Sequence, residues 1–139
     1  MQKAAFALQL LMAKRNFSRE SRLLTPESFN SVFKDPIKAG SPSITVLAKE
    51  NGLGFPRLGL IVPKKALKKA VWRNRVKRIV RENFRNAQDK LSPLDFVVIA
   101  KGPAQNLSNR DLDEILTKLW NVIYRRYKKL HVPLSDPTK

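Results

Sequence analysis

Residues 64 to 85 read KKALKKAVWRNRVKRIVRENFR, and this run limits the possible folds more than any other part of the chain. Trp72, Val76, Ile79, Val80 and Phe84 recur at offsets of 4, 7, 8 and 12, the spacing of a helix docked on an apolar core. At about 100° per residue, Asn74, Arg78, Arg81 and Arg85 fall on the opposite side. Ten of the 22 residues are Lys or Arg and only Glu82 is acidic, so the segment carries +9 of the chain's +17. Cations three and four residues apart on a helix repel one another, and one glutamate cannot neutralise them. The fold must therefore give this helix a core on one side and leave its cations facing water or an anionic partner on the other.

With 139 residues, 42% of them hydrophobic, and no low-complexity tract, the chain is expected to form one domain with a real core. An isoelectric point near 10.8 puts nucleic acid or an anionic membrane surface ahead of acidic proteins as partner. The chain has no cysteine and one histidine, His131, which excludes disulfides and thiolate metal sites and argues against structural zinc. That composition fits a reducing cytoplasm. The apolar stretch AAFALQLLMA at residues 4–13 is too short to span a bilayer. Lys14 and Arg15 follow it in place of a small-residue cleavage site, against a signal peptide. Arg15, Arg19 and Arg22 leave an organellar presequence open, and Glu20 weakens it. Residues 1–22 are expected to be a basic disordered extension, 23–130 the domain, and 131–139 a frayed tail.

Thr25-Pro26-Glu27 predicts a helix start, with a capping hydroxyl, a first-turn proline and an acid at the positive helix end. Asp35-Pro36 predicts its stop. A short strand near 38–41, a second over 43–49 and a third over 57–62 follow. The turn signals Asn51-Gly52 and Gly54 predict that the last two pair as an antiparallel hairpin. The basic helix is expected over 67–87, and Phe96 to Ala100 reads as a strand buried on both faces. A final helix begins near Ser108 and Asp111, carries a wide apolar stripe from Leu112 to Tyr127, and ends in the cations Arg125, Arg126, Lys128 and Lys129.

No catalytic signature is present: no nucleophile elbow, no Walker loop and no paired histidines. Asp111, Asp113 and Glu114 are accounted for as acids at a helix N-terminus. The basic run offers a phosphate- and sugar-binding set in Lys69, Arg73, Asn74, Arg75, Lys77, Arg78, Arg81 and Arg85, with Lys64 and Lys65 in the preceding loop. Phe29 and Phe33, four apart, suit core packing by spacing, with a base-stacking platform as the alternative.

Three segments together resemble the protein subunit of bacterial ribonuclease P: Arg57-Leu-Gly-Leu-Ile-Val-Pro-Lys-Lys65, Ala70-Val-Trp-Arg-Asn-Arg-Val-Lys-Arg78 and Arg81-Glu-Asn-Phe84. Phe17, Arg22-Leu23, Pro26, Phe29 and Phe33 upstream and Asp95 to Lys101 downstream agree in order, so the resemblance spans residues 14–127. It implies a single α+β domain, an α-β-β-β-α-β-α sandwich with a mixed sheet and a left-handed crossover, against the usual hand. It also implies a catalytic RNA partner that removes the 5′ leader of precursor tRNA with Mg²⁺ held mainly by the RNA, so the protein supplies no catalytic residue and no metal ligand. On the same resemblance, Arg73, Asn74, Arg75, Lys77, Arg78, Arg81, Arg85 and the Lys64-Lys65 loop face that RNA, while Phe29 and Phe33 line a cleft for the leader.

Some relatives carry cleft aromatics on the strand where this chain has Ile44, Val46 and Ala48, which implies a weaker grip on bases here. Pro63 stands where a small residue is expected, and Met12 is a possible alternative start. A ribosomal or RNA-assembly protein is the rival reading. A DNA-binding module is disfavoured, because no helix-turn-helix partner accompanies the basic helix, and no membrane partner is expected.

Overall fold

A computed structural model describes Arg22 and residues 26–130 of the chain. The expectations for Thr25, Met12, the N-terminal extension and the tail after residue 130 lie outside the described residues. The elements run α1 (Pro26–Phe33), β1 (Ile37–Gly40), β2 (Ile44–Glu50), β3 (Arg57–Ile61), α2 (Ala70–Ala87), β4 (Leu94–Ala100), a 3-10 turn (Gly102–Asn106) and α3 (Asn109–Leu130). This is the expected α+β order, with boundaries within about three residues of those predicted.

The sheet order is β1-β2-β4-β3. β1 and β2 pair antiparallel, β2 and β4 pair antiparallel, and β3 and β4 pair parallel. The expected hairpin between β2 and β3 is therefore wrong, because β4 lies between them. Its local chemistry is nevertheless present: Gly52 and Gly54 adopt φ of 68° and 83°, and Asn51 Oδ1 accepts from the Leu53 amide at 2.9 Å. The turn reverses the chain, but adjacency is decided by burial. Six of the seven residues of β4 are buried, and such a strand needs neighbours on both edges and cover on both faces.

Strand alternation divides the core. Ile44, Val46, Ala48, Phe96 and Val98 face the layer formed by α2 and α3, where Val76, Ile79, Val80, Phe84, Leu112, Leu116 and Trp120 meet them. Phe84, Phe96 and Trp120 pack edge-to-face with centroids 5.3 to 6.3 Å apart, each pair contributing about 0.5–1.5 kcal/mol beyond burial. On the other face, Leu47 and Val97 pack against Val32 of α1, with Phe29, Ile61 and Ile99 around them.

Polar contacts fix the layers. Asp95 receives Arg57 through two hydrogen bonds of 2.7 and 2.6 Å and a third from Asn51 at 2.8 Å, which ties β3, the 51–55 turn and β4 together. The α1 helix ends as expected before Asp35, which adopts φ of 52°, and the Lys49 ammonium donates to the Lys34 carbonyl at that end. Between α2 and α3, the Trp120 indole N–H donates to Asn83 Oδ1 at 2.7 Å while Asn83 Nδ2 reaches the Asp113 carboxylate at 3.2 Å. Asn83→Ala leaves the buried indole N–H without its acceptor and should lower stability by about 1–3 kcal/mol in urea unfolding, with Trp120 fluorescence as the probe.

Candidate nucleic-acid interface

The apolar stripe predicted for α2 is the side that packs: Val76, Ile79, Val80 and Phe84 are buried and Trp72 is half-buried against the core. Asn74, Arg78 and Arg81 are exposed on the far side, and Lys64, Lys65 and Lys69 are exposed at the N-terminal end of the helix. The helix starts with neither a side-chain cap nor an acid in its first turn. Its positive dipole end therefore adds to the charge of these lysines. The Lys69 ammonium also sits 4.9 Å from the centre of the Trp72 ring, a cation–π contact that holds it near the helix start.

The two arginines flanking Asn74 behave differently from the rest. Arg73 Nη1 donates to the Leu67 and Lys68 carbonyls at 2.8 and 2.9 Å, closing the loop that leads into the helix. Arg75 reaches across to Asn109 Oδ1 at 2.9 Å and the Gln105 carbonyl at 3.2 Å, bracing α2 against the 3-10 turn and the start of α3. Both remain half-buried, as do Lys77 and Arg85. In the Lys64-Lys65 loop, the Pro63 carbonyl accepts from the Ala66 and Leu67 amides at 3.2 and 3.0 Å, so those N–H groups are used within the turn.

Phe29 and Phe33 lie on the opposite face of the sheet from α2. Phe29 is half-buried against Val32, Leu47 and Val97, whereas Phe33 is 45% exposed. One ring thus lies against the small core and the other faces outward. The strand positions expected to line a cleft beside them need correction. Ile44, Val46 and Ala48 are fully buried in the main core, and it is Thr45, Leu47 and Lys49 that share the α1 side. Two-residue alternation within ITVLAKE separates the two sets, and the buried one is the more uniformly apolar. Lys38, opposite Leu47 in the ladder, and Arg57, opposite Asp95, also lie on that side and were not singled out from sequence.

Partial burial, and then the Glu50 carboxylate 3.3 Å from its hydroxyl, hold the Tyr127 phenol above its ordinary range. Among the described residues no group of three or more His, Cys, Asp or Glu side chains converges to hold a metal ion, and no helix is long and apolar enough to cross a membrane.

A mixed sheet with helices on both faces and a cationic ridge on its crossover helix defines a basic α+β fold whose charged face suits a polyanion. The family model described as "Ribonuclease P" matches residues 17–124. The "Ribonuclease P protein component" of Aliivibrio salmonicida is 60% identical over 110 residues, covering 79% of this chain and 94% of that protein. The protein of the same name from Vibrio cholerae is 54% identical over 114 residues, covering 82% and 97%. Among solved structures, the Staphylococcus aureus RNase P protein superimposes with a TM-score of 0.69 at 27% identity, covering 73% of this chain and 94% of that one. The Thermotoga maritima RNase P protein, solved with a fluorophenyl thiourea, gives 0.65 at 31% identity, covering 71% and 97%. The chain belongs to the ribonuclease P protein family, the accessory subunits of a ribonucleoprotein enzyme that processes tRNA.

The hydrogen bonds separate braced cations from those that face outward. Arg75→Ala should lower stability by about 1 kcal/mol, whereas Arg78→Ala should stay within about 0.5 kcal/mol, both read from urea midpoints at fixed slope.

Proposed function

We propose that the exposed ridge of α2, with Lys64, Lys65 and Lys69, docks on the catalytic RNA of ribonuclease P, and that the α1 side of the sheet holds the 5′ leader of precursor tRNA. The observation that carries this reading is the exposure of Asn74, Arg78 and Arg81 on a helix where Glu82 is the only acid. Cations so placed are stabilised by phosphates, whose neutralisation releases counterions. Arg73 and Arg75 contribute by holding the helix and its entry loop in position, while their half-exposed guanidinium groups add to the field. Lys77 and Arg85 flank the ridge.

On the other face, Phe33 offers an outward ring on which an unpaired base can stack, and Lys49 and Lys38 add positive charge on the same side of the sheet. Phe29, on the same helix, packs inward on Val32, Leu47 and Val97. A strand of leader RNA in this groove would be held through stacking and phosphate contacts, with little dependence on sequence. Precursor would thereby be favoured over mature tRNA, which lacks the leader.

Hydrolysis is assigned to the RNA subunit together with the Mg²⁺ ions it holds. The protein's part is electrostatic: it screens repulsion between two RNAs and so lowers the Mg²⁺ needed to bring them together. The cytoplasm, where precursor tRNA is made in bacteria, is the compartment this role requires.

Reconstitution with the cognate catalytic RNA at low Mg²⁺ tests the reading. Added protein should accelerate leader removal, and no gain over RNA alone would overturn it. The joint change Arg78→Ala with Arg81→Ala should weaken association of protein and catalytic RNA about tenfold or more while leaving leader discrimination intact. Phe33→Ala should lower precursor affinity by about 1–3 kcal/mol, as expected when a base stack is removed, and leave subunit association unchanged.

A further inference from the structure

A second cationic area lies at the far end of α3. Arg125, Arg126, Lys128 and Lys129 fall within five residues and all are exposed. Arg126 donates to the Lys38 carbonyl on β1, which pins this part of the helix to the edge of the sheet. Lys38 itself lies on the α1 side of the sheet, and Lys34, at the end of α1, is joined to β2 by the Lys49 ammonium. Lys38, Arg126 and Lys129 thus border the edge where the α1 side of the sheet meets β1, with Lys34 beyond them, while Arg125 is exposed on the same helix end and the Lys128 ammonium lies 5.7 Å from the centre of the Tyr124 ring. Between them is a hollow of about 540 Å³ whose floor is Pro36 and Ile37 and whose rim includes Lys38, Arg126, Lys129 and Leu130.

This area is separate from the N-terminal part of the α2 ridge. Arg75 of α2 touches Asn109 at the start of α3, and Arg126 lies 17 residues further along the same helix. At 1.5 Å per residue the separation from that N-terminal part of the ridge is about 26 Å, beyond the Debye length of about 8 Å at physiological salt. The C-terminal end of α2 comes nearer, with Asn86, Ala87 and the adjoining Lys90 lining one hollow with Tyr124 of α3. Cations in a last helical turn favour the carbonyl end of the dipole, which accounts for Lys128 and Lys129. It does not account for Arg125, Lys38 or Lys34, which lie outside that turn. Of the nearby acids, Glu50 accepts from the Tyr127 hydroxyl and Asp35 sits on the rim of the hollow. Neither of the ion pairs seen among the described residues, Arg57–Asp95 and Arg110–Glu114, includes one of the four α3 cations. The cluster also begins where the family match ends, at residue 124.

We propose that the C-terminal end of α3, together with Lys38, is a second binding surface for the sugar-phosphate backbone of single-stranded RNA, taking the strand as it leaves the α1-side groove across β1. This surface rests on the RNA-binding role proposed for the groove and extends it. Recognition is of phosphate charge and is independent of base sequence.

The test uses the full chain and a uridine homopolymer long enough to reach from Phe33 past the end of α3, with affinity measured across a KCl series. In the variant Arg125→Gln/Lys128→Gln/Lys129→Gln, Arg126 is kept because it holds the helix to β1. Removing one cation–phosphate interaction should shallow the slope of log affinity against log salt by about 0.7, so the triple variant should shallow it by up to about 2. The charge-preserving variant Arg125→Lys/Lys128→Arg/Lys129→Arg should restore the original slope. If the glutamine variant melts early, Lys129→Gln alone reads the same surface, with a change of about 0.7 expected. An unchanged slope in a folded variant, with normal binding by the unaltered chain, would overturn this surface alone. Failure of the unaltered chain to bind the RNA would overturn the RNA reading of both surfaces.

Discussion

Strand β4 is buried on both faces and paired along both edges, and the other elements are arranged by that requirement. Its parallel edge is supplied by β3, so the chain between them must cross over the sheet, and α2 is that crossover. Its antiparallel edge is supplied by β2, which brings β1 after it and gives α3 a surface to cover. Apolar burial stabilises by about 25 cal/mol per Å², which favours the most uniformly apolar strand in the central position. A basic helix is thereby held with one side locked into the core and the other facing solvent, a placement its own charge repulsion would not favour.

The cations of α2 divide by what their side chains can reach. Arg73 and Arg75 find carbonyls and an amide within hydrogen-bond distance and serve in part as structural braces. Arg78 and Arg81, about one and two turns further on, face water. Planar guanidinium groups suit both duties, since each has several donors in a fixed fork and can hold a carbonyl while presenting another edge outward. A lysine at position 75 could not span two acceptors in the same way.

Much of this was legible in the sequence. The stripe from Trp72 to Phe84 and the apolar run around Phe96 carry their own pattern, and helix α2 and strand β4 follow from it directly. Strand adjacency was not legible in the same way, because Asn51-Gly52 encodes a reversal and says nothing of which strand will lie alongside. The facing of Ile44, Val46 and Ala48 depended on knowing which side of β2 meets the larger helical layer. The structural role of Arg73 and Arg75 was hidden because their acceptors include the carbonyls of residues 67, 68 and 105, which leave no side-chain signature. For Phe29 and Phe33, spacing could show that they share a helix face but not where that face runs off the edge of its small core.

The crossover has a consequence for the order in which the protein can be made. β2 and β3 are both complete well before β4 has been synthesised, and neither finds its β4 partner until residues 94–100 arrive. During that interval each presents unpaired backbone groups along the edge meant for β4. The helix with the highest positive charge is then already present without the sheet that positions it. A nascent chain at this stage is a loose polycation, and its completion is also the step that turns diffuse attraction for RNA into a surface of fixed shape.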